Sequence, residues 1–197
     1  GYKKIILMLW LPGSAIITGI SYALYFPKEK DEEELFSREF WMFLGSLVLI
    51  LSSLIITYFT SIPVINKLFG SEYAPPKVPV YNVWMVPFAI LIMLLIAAAQ
   101  FLKYKKSDGK TFLMRISYSF LLALIFGAAS SIPLYFLKDF SNASGEEKWN
   151  LISYALLLTT GFFAVIANAD YFLIVLKGKI SKSGAAIAHV GFALLMI

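Results

Sequence analysis

The sequence predicts an all-α fold: a polytopic integral membrane helical bundle with five full spans and a truncated sixth. Three observations predict it. Of 197 residues, 59% are apolar and 15% charged, against about 45–50% and about 25% in soluble domains, which is more apolar surface than a body this size hides from water. The apolar residues gather into runs of 14 to 26 separated by short polar stretches, as in a chain whose side chains are solvated by lipid. No strand-like alternation and no glycine-rich phosphate loop interrupts them, and the need to satisfy every backbone group in lipid favours helices.

The first run, 5–26, is long enough to cross and holds Pro12 and Gly13, where a kink is expected. The second covers 40–59, with an extension toward Leu68 past Pro63 left open. The third is 83–102, the fourth 112–137 with Pro133 near its end, and the fifth 151–176. Each exceeds the roughly 17 residues a crossing needs. The sixth, 184–197, is 14 residues, about 21 Å at helical rise against a hydrocarbon core of about 30 Å. With Gly1 rather than Met at the start, that short run leads us to expect that residues 1–197 are one transmembrane domain of a longer protein.

Basic residues give an orientation. Eleven of the 17 Lys and Arg, including Arg38, Lys103, Arg115, Lys177 and Lys182, follow spans one, three and five, and six lie on the other side. Cytoplasmic loops carry the basic excess, so the first set is expected inside. The same placement makes the net charge of +5 a topology signal rather than a sign of nucleic-acid binding. The acidic run Asp31 to Glu34 reads as a solvated connector. The loop 70–82, GSEYAPPKVPVYN, carries three prolines and reads as extended chain, either an ordered crossover or a docking surface. Trp10, Trp41, Trp84 and Trp149 sit near span ends, as interfacial anchors do.

With no cysteine, disulfides, thiolate metal sites and a cysteine nucleophile are excluded. HExxH, GxSxG with triad partners, Walker and EF-hand patterns are absent, so hydrolase, metalloprotease and NTPase chemistries have no residues to rest on. What remains is polar residues at membrane depth, which are costly there. His189, the one histidine, lies roughly 8 Å into the sixth run, among Gly184, Ala185, Ala186, Ala188, Gly191, Phe192 and Ala193. The space left by such small residues admits another helix or a flat macrocycle. On these residues alone a buried structural histidine, a haem ligand and a proton relay all stay open. Asn168 and Asp170, near the end of the fifth run, and Gln100, near the end of the third, fall at comparable depth. A carboxylate or amide there would take the second imidazole nitrogen, whereas Asp170 could equally reach headgroups or neighbouring lysines.

Three separated stretches resemble the cytochrome c-type biogenesis haem lyase family, CcmF type. Ser37-Arg38-Glu39 in FSREF is similar to the family's SRES before the second span. PVYN, with Pro79, Tyr81 and Asn82, is similar to the family's GxPYFN. SGAAIAHVGFALLMI is similar to its G-x-x-LAHLG-x-A motif, about 150 residues after the SRE element. The resemblance implies a multi-pass protein of the bacterial cytoplasmic (inner) membrane that receives haem and attaches it to the thiols of apocytochrome c. It implies a b-type haem within the membrane and His189 as one axial ligand to its iron; Asp170 and Asn168 are, by their depth, the candidate supporting groups. The implied partners are a haem chaperone, apocytochrome c, other cytochrome c maturation proteins and membrane lipid, without nucleic acid. Arg115 or Lys182 would then pair with haem propionates, although both also serve as topology determinants. The family's tryptophan-rich haem platform, its external histidine pair and its second membrane histidine are not in these residues and are expected to precede Gly1. The competing reading is a secondary transporter or channel with a buried polar pocket; a third is a structural or quinone-handling respiratory subunit.

Overall fold

The computed structural model describes residues 2–25, 34–137 and 144–197, without the side chains at 2–12, 134, 135 and 137. Every regular element among them is helical: α1 (Tyr2–Tyr25), α2 (Arg38–Phe69), α3 (Val78–Ala98), α4 (Gly109–Leu137), α5 (Gly145–Asp170) and α6 (Gly184–Met196). Lys28, Lys30, Lys138 and residues 31–33 of the acidic run lie outside the described residues, as does the Trp10 side chain. The chain forms two units, 1–32 and 33–197. The first contains α1, which is continuous through Pro12 and Gly13.

In the second unit, four helical segments are long and apolar enough to cross a membrane: Arg38–Phe69, Val78–Phe101, Gly109–Pro133 and Gly145–Val175. The α6 helix is apolar but shorter. Pro63, Pro87 and Pro133 all lie inside helices, which lipid permits because the chain has no better partner for its backbone groups than the helix itself. The second helix therefore runs unbroken past Pro63 to Phe69, where Gly70 closes it in the left-handed conformation at φ 64°. Only residues 71–77 of this loop lack regular structure. The chain turns helical again at Val78 because proline is tolerated in a first turn, where its missing N–H has no helical partner anyway. Asn66 organises this connection: its side chain accepts from Ser71 Oγ at 2.9 Å and from the Tyr73 N–H at 3.1 Å, and donates to the Tyr73 carbonyl at 2.8 Å.

The α5 helix is the spine of this unit, packing against α3, α4 and α6. Ser144 starts it with a reciprocal cap, its hydroxyl accepting from the Glu147 N–H and the Glu147 carboxylate from the Ser144 N–H. Its buried residues Thr160, Ala164, Ala167 and Asn168 recur at helical spacing and are mostly small, so neighbouring backbones come close. Two glycines mark the closest approaches. A Cβ on Gly127 of α4 would stand 3.0 Å from Thr159 Cα, and one on Gly161 would stand 2.7 Å from Ile197 Cγ1. Met93, Ala97, Ala123, Phe163 and Ala193 complete the core.

Candidate functional site

The end of α3, the end of α5 and the start of α6 meet at one level of the unit. After Ala98 the third helix tightens into a 3₁₀ turn, Ala99–Phe101, that carries Gln100 inward. The fifth helix loosens into a π-turn over Tyr171–Val175, a local widening frequent at functional sites, and the chain returns through a second 3₁₀ turn, Ile180–Lys182, into α6.

Three polar side chains converge there. Asn168 is buried, and its Nδ2 donates to the Ile96 carbonyl at 3.0 Å and the Ala164 carbonyl at 2.8 Å. Its Oδ1 accepts from Gln100 Nε2 at 2.7 Å. The same Gln100 nitrogen lies 2.7 Å from His189 Nδ1, and Asn168 Oδ1 lies 3.3 Å from that ring nitrogen. Gln100 is itself buried, whereas His189 is half-buried. Both hydrogen bonds reaching the imidazole end on Nδ1, so no described residue bonds Nε2.

The small residues of α6 divide between two faces. Ala186 and Ala193 are buried where α6 packs on α5, the helix-packing use of small side chains. Gly184 and Gly191 have no neighbouring atom within 4 Å of a built Cβ among the described residues. An apolar groove of about 250 Å³ runs beside the imidazole's helix, lined by Asn168, Ala169, Phe172, Ala186, Ile187 and Val190.

Of the residues singled out by sequence, Asn168 joins His189 and Asp170 does not. Asp170 instead lines an open groove of about 540 Å³ with Phe101, Met114, Arg115, Tyr118 and Ile174. Lys182 is exposed at the end of its 3₁₀ turn. Trp84 and Trp149 keep half of their surface exposed. The PVYN residues are helical rather than loop: Tyr81 packs edge-on against Phe59 with ring centres 5.3 Å apart, and Asn82 donates to the Tyr154 hydroxyl at 3.1 Å.

The SRE element, which sequence alone left without a physical role, is a clamp. Ser37 is buried and caps α2, its hydroxyl accepting from the Phe40 N–H at 3.1 Å. The Arg38 N–H donates to the Lys103 carbonyl, and the Ser107 N–H donates to the Phe36 carbonyl. Both Glu39 oxygens accept from the Lys105 N–H. The segment leading out of the Gln100 turn is thus fastened to the start of α2. Beyond it Asp108 opens α4, where the Thr111 hydroxyl and backbone N–H hold its carboxyl below the ordinary carboxylate range.

Among the described residues no three His, Asp or Glu side chains gather to hold a metal ion. Haem makes a smaller demand, since the porphyrin supplies four nitrogens and the protein an axial ligand. His189 fits that demand in ligand type and in the access left to Nε2, provided that its ring proton resides on Nδ1. No family model matches the chain, and neither a curated protein nor a solved structure is significantly similar to it.

Proposed function

We propose that the chain is a membrane component of cytochrome c maturation, of the haem lyase type, in which His189 is an axial ligand to a b-type haem held within the bilayer. The observation that carries this reading is the asymmetry of the imidazole: buried amides from two other elements engage Nδ1, and among the described residues none bonds Nε2. In metal-ligating histidines the other ring nitrogen characteristically donates its N–H to an outer acceptor, the place that Asn168 Oδ1 takes 3.3 Å from Nδ1. The motif resemblance, including the clamp formed by its SRE element, points in the same direction.

In this reading α1 and the short α6 join the four long helices as a fifth span and an incomplete sixth. The loops bearing Lys103, Lys105, Lys106 and Lys177 are cytoplasmic, and the membrane is the bacterial inner membrane. A haem bound at His189 supplies one-electron chemistry at membrane depth. The chain's own residues orient the imidazole through Asn168, and Gln100 and Asn168 lie buried beside its Nδ1 edge. Arg115 and Lys182 offer cations for propionates. Because the chain has no cysteine, the thiols to be joined come from apocytochrome c, delivered by partner maturation proteins.

The test is an optical spectrum of the protein purified in detergent from haem-replete cells. A reduced b-type signal that disappears in His189→Ala, with the variant still monodisperse, is the expected result. A colourless wild-type preparation, or an unchanged signal in the variant, rejects it. The buried Gln100–Asn168 pair also suits a transporter; that reading instead requires solute flux that depends on His189 or Asp170 and no chromophore.

A further inference from the structure

We infer that Gln100 sets which nitrogen of His189 carries the ring proton, and that haem must displace Gln100 from Nδ1 in order to bind. The inference rests on the haem reading above for its second half only.

The argument starts at two backbone carbonyls. Ile96 and Ala164 present oxygens 3.0 and 2.8 Å from one terminal atom of the Asn168 amide. Carbonyl oxygens only accept, so that atom is the NH₂ nitrogen; the reverse orientation would set an oxygen against two oxygens. Asn168 Oδ1 therefore faces Gln100 and accepts from it at 2.7 Å. That requires the NH₂ end of Gln100 to point inward, where it also stands 2.7 Å from His189 Nδ1. An amide nitrogen is a donor only, so Nδ1 must offer a lone pair. In the neutral ring the proton is then on Nε2.

Nε2 is the nitrogen that no described residue bonds, the one left to meet iron, and in this arrangement it carries the proton. Binding iron there needs the other tautomer, with the proton lost from Nε2 matched by one gained at Nδ1 through water. For that Nδ1–H an acceptor already waits: Asn168 Oδ1 at 3.3 Å. Gln100 stands in the way, because its NH₂ would oppose Nδ1–H donor to donor. Turning the Gln100 amide in place brings no relief, since its oxygen would then face Asn168 Oδ1. The side chain has to withdraw. Gln100 and Asn168 are thus positioning residues of opposite sense, one holding the form that cannot coordinate and the other supporting the form that can.

His189 is the sole histidine of this chain, so ¹⁵N-histidine labelling of the haem-free protein in detergent reads one imidazole by NMR. The wild type is expected as the Nε2–H tautomer. Gln100→Met, which keeps the side chain's length and removes its donor, is expected to shift the ratio at least tenfold toward Nδ1–H and to bind added haem about tenfold more tightly. Gln100→Leu serves as a second variant should Gln100→Met fold poorly. A wild-type ring already in the Nδ1–H form, or the same tautomer ratio in the variants, overturns the inference whatever haem does. The expected tautomers with equal haem affinity in wild type and variant overturn the displacement step. The expected tautomers with no haem bound by any form support the assignment to Gln100 and reject the haem reading instead.

Discussion

The two carboxylate oxygens of Glu39 accept the backbone N–H of Lys105 at 3.0 and 2.9 Å, joining the first turn of α2 to the loop after α3. Lys105 sits at φ 64°, a left-handed conformation that disfavours side chains larger than glycine. An anion at Glu39 thus holds a backbone that would otherwise relax.

Replacing Glu39 by Ala should therefore cost about 0.5–1.5 kcal/mol, the net worth of a typical hydrogen bond, since this one is exposed. Lys105→Gly, which relieves the left-handed conformation and keeps the Glu39 bond, should be neutral or slightly stabilising. Thermal unfolding in detergent compares the two. Equal loss in both variants would mean that the clamp does not act through this bond.

Asn168→Leu removes the two donations to Ile96 and Ala164 and leaves Gln100 without its acceptor. We expect a stability loss of about 1–3 kcal/mol from the stranded buried groups together with loss of the haem signal. Asp170→Asn, which alters a groove-lining residue with no bond to His189, should retain that signal. Haem content per protein, measured as the pyridine haemochrome, separates the two cases; equal loss in both would place Asp170 in the site.

How much of this was legible in the sequence follows from what each signal measures. Hydropathy marks long apolar helices well, because lipid leaves such segments little choice but to be helical, and the four long ones coincide with four expected runs. Proline misled at one end of the 70–82 loop, where Pro79 helped to begin α3, while the extension past Pro63 that the sequence left open is helical to Phe69. Depth was legible too, since counting residues from the turn near 180 puts Asn168 and Asp170 level with His189. Azimuth was not. Two residues apart on a helix means opposite sides, so Asn168 faces α6 and Gln100 while Asp170 faces the Arg115 groove. The partnership of Gln100 with His189 joins positions 89 apart through a 3₁₀ turn, which no periodicity announces.

Gly127→Ala should force α4 away from α5, because the new Cβ would fall within 3.0 Å of Thr159 backbone and closer still to its side chain. Overpacking of this kind costs about 1–3 kcal/mol. Gly19→Ala in α1, where a built Cβ has nothing within 4 Å among the described residues, is the control and should not destabilise. Melting temperatures of the two variants check this, and an unaltered Gly127→Ala protein would contradict the close approach.

Asp108 gives a pH dependence of known sign. Its folded pKa lies below the ordinary value of 3.8 because the Thr111 hydroxyl and N–H bond the ionised form. The cap therefore contributes stability above about pH 4 and loses it as pH falls through the lower folded value. Amide exchange at Thr111 should accelerate in that acid range, and Asp108→Asn should abolish the pH dependence while preserving the cap. An acid-insensitive wild type would contradict it.

The most direct measurement is pulsed EPR of the ferric protein carrying ¹⁵N-labelled histidine, which detects a ligand nitrogen through its hyperfine coupling to haem iron. The expected result is a ¹⁵N coupling in the wild type that is absent in His189→Ala. A haem-loaded wild type without that coupling would contradict coordination by His189.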